Sequence, residues 1–326
     1  MDALVIATNR LEQFKVWFEA WHDQMKQHTI RLCLMHDTEN EAESERLWND
    51  TKTPHIQRHV FNHNNVKKEL QDKAWIIPKR AGACKSYAVY QAWKGGAERI
   101  YCLDDDCLPE ADDFFAIHND RLKSFAFNQL YFTLANVRPR GVPYLAPAPI
   151  MLNHGLWTNV PDVDALTQLK GYAANIHMKN ACVPKQALFP FCGMNWACNG
   201  EILPLMYFGL QGPEWPVDRW DDIWCGFIAK KIMDHLGYAV WSGEPTINHS
   251  RASDSFVNLV KEASGYKMNC EFYEFAMNLQ VEGGTTIECM KSAGQQLISW
   301  AKHKSEYKKY FEKYGEAIQV WASLFN

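Results

Sequence analysis

Apolar segments alternate with segments of helical periodicity along the first hundred residues. The predicted strands are 3–8, 29–35, 55–61 and 99–103. Large side chains recur at helical spacing in 11–28 and 81–94. Because strands that alternate with helices tend to pair in parallel beneath those helices, the sequence predicts an α/β protein. Its twisted, mostly parallel, Rossmann-type sheet should be flanked by helices.

The fourth predicted strand ends in three adjacent carboxylates, Asp104, Asp105 and Asp106. Alternation along a strand points Asp104 and Asp106 to one side and Asp105 to the other. Adjacent like charges need a neutralising partner, and Mg²⁺ and Mn²⁺ prefer oxygen ligands. The Asp104/Asp106 pair therefore predicts a metal that holds a diphosphate, with a solvated acidic turn as the alternative.

Polar side chains also follow the other predicted strands. Thr8 is followed by Asn9 and Arg10, whereas Asp37 and Asn62 come after the second and third strands. Ligands of such sheets bind beyond the carboxyl ends of the strands. We therefore predict that these five residues bind a nucleotide.

Two further residues are candidates for nucleotide binding. Lys85, on the predicted helix 81–94, could meet phosphate oxygens, although a solvated helix face is the alternative. Asp105 could contact ribose or base. The sequence has neither G-x-G-x-x-G after its first strand nor G-x-x-x-x-G-K-[ST], which disfavours dinucleotide oxidoreductases and P-loop enzymes. A metal-dependent nucleotide-sugar enzyme fits the pattern better.

The second half of the chain carries residue types that are typical of a sugar pocket. Segment 154–164 combines aromatic, amide and carboxylate groups at positions typical of turns, and a Pro-stabilised turn is the plainer alternative. A strand is predicted at 238–241, with a polar loop at 249–250. The candidates for contacts to the sugar are His154, Trp157, Asn195 and Trp224.

Three residues in this half are candidates for the chemistry. Asp221 or Asp222 could stabilise positive charge at the sugar or move a proton. Carboxylates in a first helical turn also interact favourably with the helix dipole, which is a structural alternative. His249 could complete a metal site with Asp104 and Asp106, although a lone histidine is usually structural.

Composition disfavours several classes of protein. A formal net charge of −4 gives no global basic field for nucleic acid, although a local patch stays open. No apolar run approaches the roughly 18 residues of a membrane span, and the N-terminus lacks the pattern of a signal peptide. Ten scattered cysteines without a Cys-x-x-Cys pair indicate reduced thiols, so we expect a cytoplasmic protein.

Several separated blocks carry a family resemblance. They are 103–107, 154–169, 189–195, 206–210, 219–226, 234–237 and 249–259. Together they resemble the reversibly glycosylated polypeptides, also called UDP-arabinopyranose mutases, of glycosyltransferase family 75. The resemblance covers about residues 3–261, is looser before residue 100, and does not extend to the C-terminal segment.

The resemblance implies a GT-A-like fold, UDP-sugar as substrate and a need for Mn²⁺ or Mg²⁺. Family members interconvert the pyranose and furanose rings of UDP-arabinose and become glycosylated on an arginine. The Arg-Gly-x-Pro block that carries this arginine corresponds to Arg140 in 140–143, with Arg138 as a nearby rival. The family has a second arginine a few residues later, but 144–149 contains none.

This departure leaves two alternatives to the mutase. One is a glycosyltransferase that delivers arabinose or glucose from UDP-sugar to a protein, a glycan or a hydroxylated nucleic-acid base. The other is a non-catalytic UDP-sugar-binding partner subunit in a complex. For all three functions, assembly into a homo- or hetero-oligomer stays open.

We predict a nucleotide-sugar domain at 1–262 and a helical C-terminal extension at 263–326. The domain would consist of a UDP-binding half, 1–110, and a sugar or acceptor half, 111–262. The extension is amphipathic and rich in lysine between 302 and 313. A solvated helix face explains those lysines most simply, and contact with an anionic acceptor or a partner subunit is the alternative.

Overall fold

The computed structural model describes residues 1–126, 140, 147–171, 180–250 and 254–326. The strands are β1 Ala3–Thr8, β2 Arg31–His36, β3 Arg58–Phe61, β4 Arg99–Leu103, β5 Cys107–Pro109, β6 Phe125–Ala126, β7 Ala148–Asn159, β8 Ala181–Cys182, β9 Asn195–Asn199 and β10 Ala239–His249. The helices are α1 Leu11–Gln27, α2 Glu41–Asp50, α3 His63–Leu70, α4 Lys85–Lys94, α5 Phe114–Leu122, α6 Ala165–Leu169, α7 Asp221–His235, α8 Ser255–Glu262, α9 Gly265–Asn278, α10 Thr286–Lys304 and α11 Lys308–Ser323. Short 3₁₀ helices cover Gln71–Ile76, Gly82–Cys84 and Gly200–Leu205.

The strands pair along the path β3-β2-β1-β4-β9-β7-β10-β5, with β6 beside β7 and β8 beside β10. The first four strands of this path are parallel, and so are β7 and β10. β9 runs antiparallel to β4, with Asn195 opposite Leu103. The start of β9 therefore lies at the same sheet edge as the carboxyl ends of the parallel strands. The prediction of an α/β fold with a mostly parallel sheet is confirmed.

Both faces of the sheet are covered. In β1, Ala3 and Val5 belong to one apolar cluster, and Leu4 and Ile6 belong to the other. This is the alternation expected for a strand with two buried faces. Helices α4, α7, α9, α10 and α11 contribute to the first cluster, whereas α1 and α5 contribute to the second. In the described part of the chain, no helix is long and apolar enough to span a bilayer.

Two predictions of local structure in the second half are wrong. His154 and Trp157 do not lie in a turn, because β7 continues to Asn159. His249 does not lie in a loop, because it is the last residue of the 11-residue strand β10. The pairing of β10 with β7 shifts register around Gly243 and Pro245. Such bulges accommodate glycine and proline, which in a sequence suggest the end of a strand.

The C-terminal helices are part of the main core. The buried Trp321 ring stacks on Tyr207 with centroids 5.2 Å apart. Its indole N–H donates to the carbonyl of Pro204 at 2.8 Å. Helices α10 and α11 cross where Gly294 faces Gly315, and a Cβ on Gly294 would lie 2.7 Å from the Gly315 carbonyl oxygen. The core of residues 1–262 is thus continuous with that of 263–326.

Deletion of residues 263–326 is expected to prevent the rest of the chain from folding cooperatively. The deletion would expose Tyr207 and Trp224, two of the largest fully buried side chains. Exposure of such rings costs a large part of the marginal stability of a domain. Chemical denaturation followed by tryptophan fluorescence and circular dichroism tests this. A cooperative transition close to that of the full chain would establish 1–262 as an independent domain.

Candidate active site

Two clefts open at the carboxyl edge of the parallel strands and share one wall. The small cleft has a volume of ≈ 200 Å³ and contains Thr8, Asn9, Arg10, Asp37 and Asp105 in its lining. The large cleft has a volume of ≈ 450 Å³ and reaches the start of α7. The lining residues common to both are Arg80, Ala81, Gly82, Lys85 and Asp104. A ligand that filled both clefts would therefore pass Lys85 and Asp104.

Asp105 organises the floor of the small cleft. Its buried carboxylate accepts hydrogen bonds from the Thr8 hydroxyl and from the guanidinium of Arg10, whose Nε lies 3.2 Å from Oδ2. Burial raises the pKa of Asp105, and the bonds from Arg10 and Thr8 oppose that rise. Arg10 also reaches Asp106, with Nη2 3.2 Å from Oδ2. Asp105 therefore orients Arg10 and Thr8 at the cleft.

Asp37 is another lining residue of the small cleft. Its Oδ1 accepts the backbone N–H of Arg80 at 3.0 Å and lies 2.7 Å from Nε2 of His63. Asn62, which was predicted beside it, is instead the N-cap of α3. Its side-chain oxygen accepts the backbone N–H groups of Asn64 and Asn65. Its side-chain nitrogen donates to Oε2 of Glu41 at 3.1 Å and to the Ser44 hydroxyl at 3.2 Å, and Asn62 is not among the described residues that line either cleft.

Lys85 and Asp104 form an ion pair where the clefts meet. The ammonium of Lys85 lies 2.5 Å from Oδ1 of Asp104 and donates to the Gly193 carbonyl at 3.2 Å. Burial lowers the pKa of Lys85, but the Asp104 carboxylate more than reverses this, so the pKa lies well above its usual value. Burial raises the pKa of Asp104, and Lys85 brings it below its usual value. Both groups are therefore charged at neutral pH.

The predicted metal ligands are Asp104, Asp106 and His249, and their donor atoms do not gather within 4.8 Å of one another in the described part of the chain. Of the three, Asp104 lines both clefts, and Asp106 and His249 are not among the lining residues that the structure describes. His249 donates from Nδ1 to the Val160 carbonyl at 2.8 Å, which leaves Nε2 4.0 Å from Oδ1 of Asp106. This contact fixes the imidazole tautomer as a supporting partner of a metal ligand does. Two carboxylates and an imidazole suit Mn²⁺ or Mg²⁺ chemically. Asp104, however, faces Lys85.

A different group of ligand-type side chains is more tightly clustered. Among the residues that the structure describes, Asp162, Cys192 and Asp222 have donor atoms within 4.8 Å of one another. The Cys192 thiol donates to Oδ2 of Asp162 at 2.8 Å, and the Gly193 N–H donates to Oδ2 of Asp222 at 2.7 Å. Burial and both carboxylates raise the pKa of Cys192 well above its usual value, so the sulfur stays protonated. A protonated thiol is a poor ligand for the hard ions Mn²⁺ and Mg²⁺.

The first turn of α7 places two carboxyl groups in the large cleft. Burial raises the pKa of Asp221 to about 6, and the positive charge of Lys85 limits that rise. Burial, followed by repulsion from Asp221 and Asp162, raises the pKa of Asp222 to about 8. Paired carboxyl groups with separated pKa values are typical of sites that move protons near neutral pH.

Two of the predicted sugar-contacting residues line the large cleft. These are His154 and Trp157 on β7. His154 Nδ1 lies 3.0 Å from the Ser242 hydroxyl, and its Nε2 accepts the Cys192 N–H at 3.3 Å. Burial lowers the pKa of His154 to about 3, so the ring is neutral. A neutral imidazole and an indole ring are suited to the wall of a sugar site.

Three other predicted residues are not among those that line the clefts, as far as the structure describes the chain. Asn195 is fully buried and donates to the Leu156 carbonyl at 2.7 Å. Trp224 is fully buried and stacks on Phe272 with centroids 4.6 Å apart. Arg140 is exposed, and its neighbours 127–139 and 141–146 lie outside the described residues, as does Arg138. The structure therefore places Asn195 and Trp224 in the core.

Sequence analysis missed several residues of the large cleft. Asp162 and Cys192 carry its polar wall, and Arg219 lines it with Nε 3.2 Å from Oε1 of Glu262. Asp162, Cys192 and Arg219 fall within the blocks of the family resemblance. That coincidence was the available signal that these residues belong to a site.

Comparison with known proteins gives the family. A family model described as "Reversibly glycosylated polypeptide" matches residues 2–326. The chain belongs to the reversibly glycosylated polypeptide family. UDP-arabinopyranose mutase 1 of Arabidopsis thaliana is 35% identical over 288 residues, which cover 82% of this chain and 79% of that protein. "Probable UDP-arabinopyranose mutase 4" of the same plant is 35% identical over 283 residues, or 80% and 76% of the two chains.

Solved structures match this family member only weakly. A crystal structure of S. aureus TarS residues 1–349 gives a TM-score of 0.39 at 10% identity and covers 100% of this chain and 90% of that chain. Membership of the reversibly glycosylated polypeptide family therefore rests on the sequence comparisons.

Proposed function

We propose that this family member is a metal-dependent enzyme that interconverts the pyranose and furanose forms of UDP-arabinose. The observation that carries the proposal is the pair of clefts that meet at Lys85 and Asp104, with Asp221 and Asp222 in the larger one. The 35% sequence identity to UDP-arabinopyranose mutase 1 of Arabidopsis thaliana supports the same reaction.

The clefts suit the parts of a UDP-sugar. The small cleft would take the nucleoside beside Thr8, Asn9 and Arg10, and the large cleft would take the sugar. The diphosphate would then lie at the shared wall, next to Lys85. Mn²⁺ or Mg²⁺ held by Asp104, Asp106 and His249 would stabilise the negative charge of the departing diphosphate.

Ring interconversion requires a balanced proton exchange at the sugar. The bond between the anomeric carbon and UDP breaks and later re-forms at the same carbon. Between these events the O4 hydroxyl attacks the anomeric carbon and loses its proton as the furanose ring closes. The bond between that carbon and the pyranose ring oxygen, O5, breaks as O5 gains a proton. Protonated Asp222 is suited to donate the proton to O5, and ionised Asp221 is suited to accept the proton of O4. The proton that Asp221 has accepted then returns to Asp222, the group with the higher pKa, so both carboxyl groups are restored before the next turnover.

Transfer to an external acceptor is a second candidate function. It is favoured because Arg140 is absent from the lining of both clefts and because 144–149 lacks the second arginine of the family. Neither feature affects binding of a UDP-sugar. The second candidate therefore shares the nucleotide site and differs in where the sugar goes.

Product analysis separates the two candidates. The purified chain is incubated with UDP-arabinopyranose and Mn²⁺, without and with candidate acceptors, and nucleotide products are separated by chromatography. Formation of UDP-arabinofuranose without acceptor supports the mutase. UDP release that requires an acceptor, with no ring isomer, would contradict it and support the transferase.

The Arg10→Met variant is expected to bind UDP about tenfold more weakly, the effect of losing one charge-assisted hydrogen bond. Arg10 lines the small cleft, and its removal also frees the Asp105 carboxylate. Isothermal titration calorimetry gives the affinity, and Arg46→Met, at an exposed position on α2, is the matched control. Equal affinities of the two variants for UDP would remove Arg10 from the nucleotide site.

A further inference from the structure

The Lys85–Asp104 ion pair lies at the proposed metal position and uses one of the two carboxylate oxygens of Asp104. Lys85 is the first residue of α4, and its side chain is 5% exposed, whereas that of Asp104 is 40% exposed. The ammonium is therefore mostly buried where the two clefts meet, beside a carboxylate that is more exposed. Nζ is also held by the Gly193 carbonyl at 3.2 Å and lies 5.6 Å from the centre of the Phe208 ring. These contacts fix one positive charge beside a predicted metal ligand.

A fixed ammonium affects a divalent ion in two ways. It occupies Oδ1 of Asp104 at 2.5 Å, and it repels a second cation that approaches the same carboxylate. In the described part of the chain, the cluster of ligand-type side chains consists of Asp162, Cys192 and Asp222. Asp104 does not belong to it, which is consistent with this effect of Lys85. Asp106 does not replace Asp104 as a free ligand, because its Oδ2 already lies 3.2 Å from the guanidinium of Arg10. Two protein cations thus compete with the metal for its two carboxylates.

We propose that Lys85 makes binding of Mn²⁺ or Mg²⁺ conditional on the diphosphate of the substrate. The inference rests on the proposed metal site at Asp104, Asp106 and His249. Without nucleotide, the ammonium pairs with Asp104 and disfavours the ion. A diphosphate at the shared wall of the clefts brings negative oxygens that both Lys85 and the ion can contact, so the repulsion is offset. Metal and nucleotide then bind with positive cooperativity, which by linkage is reciprocal.

This coupling gives the site a binding order that favours productive complexes. An ion that enters with or after the nucleotide is present only when there is a leaving group to stabilise. Lys85 is thus a positioning residue, because it acts through Asp104 and the phosphate oxygens.

Metal binding measured apart from catalysis tests the proposal. Electron paramagnetic resonance of free Mn²⁺ gives its dissociation constant in the full chain, without UDP and with saturating UDP, after correction for the Mn–UDP complex in buffer. UDP has no sugar to isomerise, so turnover does not interfere. For the unsubstituted chain we expect UDP to tighten Mn²⁺ binding by at least about tenfold, within the usual range of coupling between two sites. Equal affinity with and without UDP would overturn the proposal.

Substitution of Lys85 provides the sharper comparison. Lys85→Met keeps the length of the stem and removes the charge, and it is expected to bind Mn²⁺ alone about tenfold more tightly, while its coupling to UDP falls by a similar factor. Lys85→Gln replaces it if the Met variant does not fold. Lys79→Met is the matched control, since Lys79 pairs with Glu39 and does not line either cleft. Unchanged or weaker binding of Mn²⁺ alone to the variant would show that Lys85 does not oppose the ion.

A third variant separates failure of this inference from failure of the proposed function. Asp106→Asn is expected to lose Mn²⁺ binding both with and without UDP. Retention of Mn²⁺ by Asp106→Asn would place the ion elsewhere and overturn the proposed metal site together with the inference. Loss of Mn²⁺ in Asp106→Asn, with Lys85→Met equal to the unsubstituted chain, would keep the metal site and overturn the role of Lys85 alone.

Discussion

The Asp222→Asn variant is expected to interconvert the sugar rings about 10²–10⁴-fold more slowly, the range for loss of a general acid–base group. Asparagine cannot supply the proton that the ring oxygen needs. Its side-chain oxygen can still accept the Gly193 N–H, which lies 2.7 Å from Asp222 in the native site, so the local fold should persist. Affinity for UDP should be unchanged because Asp222 does not line the small cleft.

Rates of product formation by chromatography and UDP affinity by calorimetry provide the two readouts. Asp120→Asn, at an exposed position on α5, is the matched control. A variant at position 222 that retained the rate of this control would remove Asp222 from the proton exchange.

The pH profile follows from the directions of the two pKa shifts. Asp222 must carry a proton, so the rate should fall as pH rises through about 8. Asp221 must be ionised, so the rate should fall as pH drops through about 6. The two apparent values belong to the coupled pair, and the profile should be bell-shaped. The residual activity of Asp222→Asn should no longer fall as the pH rises through about 8. If that fall were unchanged, it would report the titration of another group.

The Asp104→Asn variant is expected to lose activity on the order of 10³-fold, since stabilisation of a leaving group by a metal is worth several kcal/mol. Two effects combine in this variant. A charged ligand for the ion is lost. The buried ammonium of Lys85 also loses the carboxylate that lies 2.5 Å away in the unsubstituted protein. Removal of one partner of a buried pair is strongly destabilising for the charge that is left.

Turnover across a Mn²⁺ titration and thermal unfolding together check this expectation. Asp112→Asn, at an exposed position, controls for general effects of an amide substitution. If Asp104→Asn folds and retains full activity without added metal, the metal-dependent reading of the Asp-rich segment is wrong.

The N-terminal half of the fold was predictable because its elements are local and regular. β1, β2 and β4 are short apolar segments, and α1 has apolar residues at helical spacing. The parallel pairing of the strands follows from the helices between them. The second half was less predictable. β10 contains glycine and proline at bulges, and its pairing with β7 involves residues about 90 positions apart. Neither the bulges nor this pairing has a local signature.

The predicted site divides in the same way. Thr8, Arg10, Asp37 and Asp104 could be predicted to lie at one edge of the sheet because they follow strands that end there, and all four line a cleft at that edge. Asn62 follows such a strand too, yet its side-chain oxygen caps the N-terminus of α3. The position of a residue after a strand predicts the sheet edge at which it lies. It does not predict whether backbone N–H groups at that edge will bind its side chain.

The large cleft needed tertiary structure. Asp162, Cys192 and Asp222 come from three segments separated by about 30 residues each and meet only in the fold. Trp224 has the composition of a sugar-stacking residue, but α9 and α11 bury it. Aromatic side chains at helical spacing are more often core than ligand contacts, and this tryptophan follows that rule.

Equilibration from both directions tests the central claim most directly. UDP-arabinopyranose and UDP-arabinofuranose are incubated separately with the chain and Mn²⁺, without any acceptor, and the nucleotide-sugars are quantified by chromatography until their ratio is constant. A ring isomerase predicts the same final ratio from both substrates, with total UDP-arabinose conserved. Release of UDP without isomer, or no change from either substrate while UDP-arabinose binds, would contradict the account.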